Sequence, residues 1–259
     1  MARRIPPRLY KYASLVGERE EYVRALIVDQ ALYFSSPTQF NDPFECRFRY
    51  SMEASLQQWR RFCSRPMIAA SLGFSPWTPP SDDVLREWAT TAPANVAYLC
   101  QAFRSEIERE TGICCFSEKH DDILMWSHYA DSHRGVCLEF EPRPGSPLFR
   151  NLSAVRYQDE YPVVNFITLS DEEWVNLVYA TKASHWSYEA EWRVLAHRGG
   201  SGIRQYAPGE LTAIILGSEA PPGLGEQITA WVRATDRPIK VLRARCSESA
   251  YRIQVVPHA

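Results

Sequence analysis

Short runs of strand and helix pattern alternate along this 259-residue chain with no internal repeat, and that alternation limits what it can fold into. RLYKY, residues 8–12, reads as a strand. EREEYVRALIVDQ then places Tyr22 and Leu26, and Val23 and Ile27, at helical spacing, and ALYFSSP is a strand stopped by Pro37. GICCFSE, VCLEF, SAVRYQ, LTAIILG, PIKVLRARC and YRIQVV have strand character. DDILMWSHYADSHRG, DEEWVNLVYATK and the segment carrying Leu224, Ile228, Trp231 and Val232 have helical character, the first ending near Gly135. No glycine-rich phosphate loop joins a strand to a helix, so a doubly wound nucleotide fold is disfavoured. The pattern predicts one α+β domain over residues 1–259 with a mixed β-sheet core. Residues 51–110, helical but broken by the Pro-rich SPWTPPSDD, are expected as an insertion or lid, with Ser81 or Asp82 capping the helix that starts there.

A hydrophobic share of 45% with 23% charged residues is that of an ordinary globular chain. The formal net charge of -2 provides no field that would draw nucleic acid to the whole molecule. A local basic run remains (Arg233, Arg237, Lys240, Arg243, Arg245 and Arg252), and it reads first as a solvated sheet edge. Neither a signal-type apolar run nor a membrane-length one occurs, so a cytoplasmic protein with no membrane partner is expected. The seven cysteines are odd in number and irregular in spacing, which predicts reduced thiols used as small core residues.

Several chemistries lack their signatures. Cys114, Cys115, His120, His128, His133 and Cys137 fall close together, but there is no C-x-x-C pair, and adjacent cysteines on a strand point to opposite faces. No metal site is therefore expected. The G-x-S-x-G, Walker and H-E-x-x-H patterns are also missing. Two segments remain.

In WSYEAEWRV, an extended backbone puts Tyr188, Ala190, Trp192 and Val194 on one face and Ser187, Glu189, Glu191 and Arg193 on the other. Two acids beside an arginine should have separated pKa values, as acid/base work requires; the bland reading is a surface strand with cross-strand ion pairs. In QFNDPFE, Asn41, Asp42 and Glu45 sit in a turn held by Pro43, with Phe40 and Phe44 as anchors. It is either an Asx-turn or a preorganised binding loop. MWSHYADSHRG reads as a core helix, with His128, Asp131 and Arg134 as candidate lip residues.

The motifs RLYKY, ALYFSSPTQFNDPFE, CFSEKHDDILMWSHYADSHRGVCLEF, VRY and KASHWSYEAEWRV occur in the order that marks the bacterial domain-of-unknown-function family 2971. The chain resembles that family from Leu9 to Val256. It also resembles, more weakly, the ADP-ribosyltransferase fold, whose sheet is split. That resemblance implies an enzyme that cleaves NAD as its substrate and passes ADP-ribose to a nucleic-acid or protein acceptor, as toxins and phage-defence enzymes do. Lys11 or Tyr12 would then take the place of the NAD-holding Arg or His of the early strand, a departure from the usual residue. Ser35 or Ser117 would be the middle-strand hydroxyl, Glu191 the catalytic carboxylate and Glu189 its partner in orienting the acceptor. Tyr10, Tyr12 or Trp186 could stack a ring, and Asn41 and Asp42 could reach a ribose or base. The alternatives are a non-enzymatic recognition module for nucleic acid or protein, using QFNDPFE and the basic carboxy-terminal strands, and a Mg²⁺-dependent nuclease using Asp42, Glu45, Glu189 and Glu191.

Overall fold

The computed structural model describes residues 4–65, 80–91, 105, 108–143, 145–197 and 199–258. In chain order the strands and helices are β1 (Leu9–Ala13), α1 (Arg19–Val28), β2 (Ala31–Phe34), β3 (Arg49–Ser51), α2 (Leu56–Cys63), α3 (Asp82–Thr91), β4 (Gly112–Ser117), α4 (Ile123–Tyr129) and β5 (Val136–Phe140). Next come β6 (Leu152–Ala154), β7 (Arg156–Gln158), β8 (Val163–Asn165), α5 (Asp171–Tyr179), β9 (Thr181–Ala183), β10 (Glu191–Ala196), β11 (Gly202–Gln205), β12 (Leu211–Leu216), α6 (Leu224–Arg233), β13 (Lys240–Cys246) and β14 (Ile253–Pro257).

Eight strands form the main sheet, in the order β14-β13-β12-β5-β1-β4-β10-β6. All neighbours are antiparallel except β12 and β13, which run parallel because α6 carries the chain across between them. The architecture is therefore α+β with a mixed sheet. No helix among the described residues is long and apolar enough to cross a membrane.

One face of the sheet carries the main core. Leu138, Phe116, Trp192 and Val194 meet the apolar sides of α1 (Val23, Leu26, Ile27) and α6 (Leu224, Ile228, Val232) there. The opposite face is divided. Under β1, β5, β12 and β13 lies a small core of Tyr10, Trp126, Cys137 and Ile215. Under β4 and β10 lies a second, of Ile113, Phe166, Trp174, Val178 and Leu195.

The division comes from the pairing at the centre of the sheet. β1 and β4 share one registered pair, Tyr10 with Ser117, whereas β1 pairs with β5 along its whole length. The other end of the same β4 edge is met by Ser35, which exchanges backbone bonds with Ile113. Between these two contacts the edge of β4 is open, and the sheet is split.

Two of the helices that position the site begin at side-chain caps. Ser170 and Glu173 form a reciprocal capping box on α5, and the Asp122 carboxylate accepts from the Leu124 and Met125 amides at the start of α4. α4 stops earlier than its sequence suggests. Asp131, Ser132 and His133 turn left-handed, so the chain leaves the helix a full turn before Gly135. Gly135 itself is required by close approach, since a Cβ there would lie 2.2 Å from the Ala13 carbonyl oxygen.

SAVRYQ divides into β6 and β7, which join different ladders. In the 51–110 segment, α2 and α3 pack together through Trp59, Phe62, Cys63 and Leu85, which also touch Ile167. The rest of the expected insertion falls largely outside the described residues. The described cysteines are all free thiols, and most are buried.

Leu138 is fully buried at the centre of the sheet. Leu138→Ala is expected to lower unfolding free energy by about 2–5 kcal/mol, read as a shifted urea midpoint at unchanged m value.

Candidate functional site

The split between β1 and β4 opens into a cavity of about 210 Å³. Its walls come from β1 (Tyr10, Lys11, Tyr12), the loop after β2 (Ser35, Phe40, Asn41, Glu45), β4 (Cys115, Ser117), α4 (Met125, Tyr129), Lys182 of β9, Glu189, and Glu191 and Arg193 of β10. Antiparallel register sets three of these side chains in one row, because Ser117 is the cross-strand partner of both Tyr10 and Glu191.

The WSYEAEWRV segment reaches this arrangement by a route different from the expected one. It is not a continuous strand: residues 184–189 form a 3₁₀ helix, Ala190 adopts a left-handed conformation at φ 44°, and the strand begins at Glu191. The two glutamates therefore share a site because the chain turns between them, not because extended side chains alternate. Beyond the turn alternation holds. Trp192 and Val194 enter the main core, and Glu191 and Arg193 face the cavity side. Tyr188, expected beside Trp192 in the core, is only half-buried and bonds His128 instead.

A buried charge cluster forms the floor. Arg193 grips Glu191 with two bonds, Nε to Oε1 at 2.8 Å and a terminal nitrogen to Oε2 at 2.9 Å, and also pairs with Glu45. Its remaining terminal nitrogen donates to the Tyr179 carbonyl at 2.8 Å. The Lys182 ammonium lies 2.6 Å from Glu189, 3.4 Å from Glu191 and 3.8 Å from Glu45. Three carboxylates thus share two cations, and Glu189 is the one that pairs with Lys182 alone.

That inequality sets the titration. Burial would push the Glu191 carboxyl up, but Arg193 and then Lys182 outweigh it and hold it down at about 2. Burial dominates at Glu189 and pushes its carboxyl above the ordinary value; Lys182 opposes that, and the Glu191 charge adds to it. The separation expected of paired acids is present. The Tyr129 hydroxyl, itself pushed up by burial and by Glu189, donates to Glu189 Oε1 at 2.5 Å. Burial would lower the Lys182 amine, but Glu191, Glu45 and Glu189 overcome it and raise it, so it is a fixed cation and not a nucleophile. The Cys115 thiol, lifted by burial and then by Glu191, is inert as well.

The remaining residues singled out by sequence are spread over the cavity and beyond it. Ser117 donates to the Glu189 carbonyl at 2.5 Å. Lys11 lies by alternation on the main-core face, yet its ammonium turns to the Cys115 carbonyl at 3.2 Å and lines the cavity. The Tyr12 hydroxyl donates to the Lys119 carbonyl and its ring packs edge-on to Trp126. Asp42 forms an Asx-turn with the Phe44 amide at 2.8 Å and does not line the cavity, whereas Asn41 and Glu45 of the same loop do. Phe44, expected as an anchor, is exposed; Phe40 packs against the core with Arg193 over its ring.

Trp186 sits beside the cavity, with the Lys182 ammonium 4.9 Å from its ring centre. Asp131 and Arg134 pair with each other at another cleft, next to Leu15 and Pro221. Arg243 and Arg245 lie on β13, the strand next to the edge strand β14 at the far side of the sheet. Glu45, Glu189 and Glu191, weighed as Mg²⁺ ligands, converge on Lys182 and Arg193, and among the described residues no group of His, Cys, Asp or Glu is placed to hold a metal ion. Lys182, the residue common to all three acids, carries no signal in the sequence that marks it as a site residue.

Lys182→Met should destabilise the fold by about 3–5 kcal/mol at neutral pH, because it leaves buried carboxylates uncompensated. Glu191, with its folded-state value depressed, binds fewer protons when folded than when unfolded. Its stabilising contribution is complete above the ordinary value of 4.5 and is lost as pH falls towards about 2. Urea midpoints measured across that window should fall in the native chain and fall less in Glu191→Gln.

Neither the curated proteins nor the solved structures gave a match. Residues 125–194, which run from α4 through β10 and include Tyr129, Lys182, Glu189, Glu191 and Arg193, match the model of DUF2971, a protein family of unknown function.

Proposed function

We propose that the cavity cleaves the nicotinamide N-glycosidic bond of NAD and transfers ADP-ribose to a macromolecular acceptor. The observation that carries this reading is the row Tyr10, Ser117, Glu191 at the split of the sheet, with Glu191 ionised and fixed by two cations. In the reaction the C1′–N bond breaks and nicotinamide leaves with the bonding pair, which neutralises its ring nitrogen. Positive charge builds on the ribose as this happens. A preorganised carboxylate at that position stabilises the charge at no reorganisation cost, and Glu191 has the required character. The acceptor's oxygen or nitrogen then bonds to C1′ and gives up a proton. In this reading Glu189, whose carboxyl is raised and which accepts from the Tyr129 hydroxyl, receives it.

Lys11, whose ammonium lines the cavity at the gap, would supply a cation for the diphosphate.

A second reading, non-enzymatic recognition of a polyanion by the basic carboxy-terminal strands, is favoured by the exposure of Arg245 and Arg252 beside the edge strand β14. Binding there would fall steeply with salt and would not depend on Glu191.

Nicotinamide release from NAD measures transfer and hydrolysis together and needs no knowledge of the acceptor. Glu191→Gln is expected to keep the fold and to lower release by about 10²–10³-fold, the usual cost of removing one transition-state charge partner. Equal release by the native chain and the variant would remove the proposal.

A further inference from the structure

A cavity of about 210 Å³ lies below the roughly 300–1,000 Å³ of sites that enclose drug-sized ligands, so it can take only part of a dinucleotide. The remainder must lie against the surface at the mouth. On the side of the cavity walled by Tyr129, Lys182 and Glu189, that surface is aromatic. His128, Trp186 and Tyr188 form a mutually contacting set, with ring centroids 6.5 Å apart for His128 and Trp186, 6.1 Å for His128 and Tyr188, and 6.1 Å for Trp186 and Tyr188.

The rings are held in place. His128 Nδ1 lies 3.0 Å from the Tyr188 hydroxyl, and the Lys182 ammonium sits over Trp186, tying the set to the carboxylate cluster. They are also accessible, since His128 is exposed and Trp186 and Tyr188 are half-buried. One turn before His128 on the same face of α4, Leu124 is exposed too and extends the apolar surface. Among the described residues most aromatic side chains lie in or against the cores, so a fixed, half-open set at the cavity mouth calls for a ligand with a flat face.

We propose that His128, Trp186 and Tyr188, whose ring planes are inclined to one another by 71°, 67° and 41°, form an aromatic platform on which the adenine ring of the dinucleotide stacks against one ring and meets the others edge-on, the nicotinamide riboside end occupying the cavity. The inference rests on the NAD reading above and assigns its second subsite. Stacking of a heteroaromatic base on fixed rings is tolerant of hydrogen-bonding pattern, so the platform should accept AMP and ADP-ribose alike.

Calorimetric titration of the full chain with AMP and, separately, with nicotinamide mononucleotide tests it. Trp186→Ala and His128→Ala should each weaken AMP at least about tenfold, the size of loss expected when one base-stacking ring is removed, and leave nicotinamide mononucleotide within about twofold. His128 is exposed, so its variant decides the matter if Trp186→Ala does not fold. AMP binding that is equal in the native chain and the His128 variant, or native binding of the mononucleotide without AMP, or binding of neither, overturns the platform. The two readings fail separately. Ring-dependent AMP binding with no nicotinamide release from NAD would leave the platform and remove the cleavage, and Glu191-dependent release with ring-independent AMP binding would do the reverse.

Discussion

Five buried charges at the split of the sheet are the interaction on which the rest of this structure depends. Glu45 comes from the loop after β2, Lys182 from β9, Glu189 from the 3₁₀ segment, and Glu191 and Arg193 from β10, so segments far apart in sequence are tied at one point. Desolvating so many ions is expensive. An apolar substitute of equal volume would often be as stable or more so, and stability alone does not account for the cluster. Its position explains more. β1 and β4 part after a single pair, and the two small cores on that face end on either side of the gap. A seam with an open strand edge needs polar groups, and the cluster, with Lys11 on the Cys115 carbonyl, provides them.

The parts of this arrangement legible in the sequence are those governed by periodicity and local chemistry. GICCFSE, VCLEF and LTAIILG became β4, β5 and β12 because an uninterrupted apolar run has to be buried, and α5 starts where Ser170 and Glu173 can satisfy its first amides. Glu189 and Glu191 stand out as a pair, but strand alternation is the wrong reason for their meeting. A left-handed alanine has no signature of its own, and Ala190 adopts that conformation because the surrounding contacts impose it. Lys182 is illegible for a similar reason. TKA is too short a strand to carry a pattern, and a lysine looks solvated until the fold surrounds it with three acids. Phe44 misleads in the other direction. An aromatic residue in a turn suggests an anchor, but Phe40 and the Asx-turn of Asp42 already hold the loop.

The divergence of the two acids comes from the unequal division of cations. Glu191 meets both Arg193 and Lys182, so its charge is fixed across the physiological range. Glu189 has Lys182 and a neutral phenol, and burial leaves its carboxyl closer to protonation. Had the cluster held a third cation next to Glu189, both acids would be permanent anions and no proton could be exchanged. Had it held one cation fewer, neither charge would be secure in the interior. The observed stoichiometry is the one that sets a fixed charge beside a carboxyl closer to protonation, and the second lies on the side of α4, next to Tyr129.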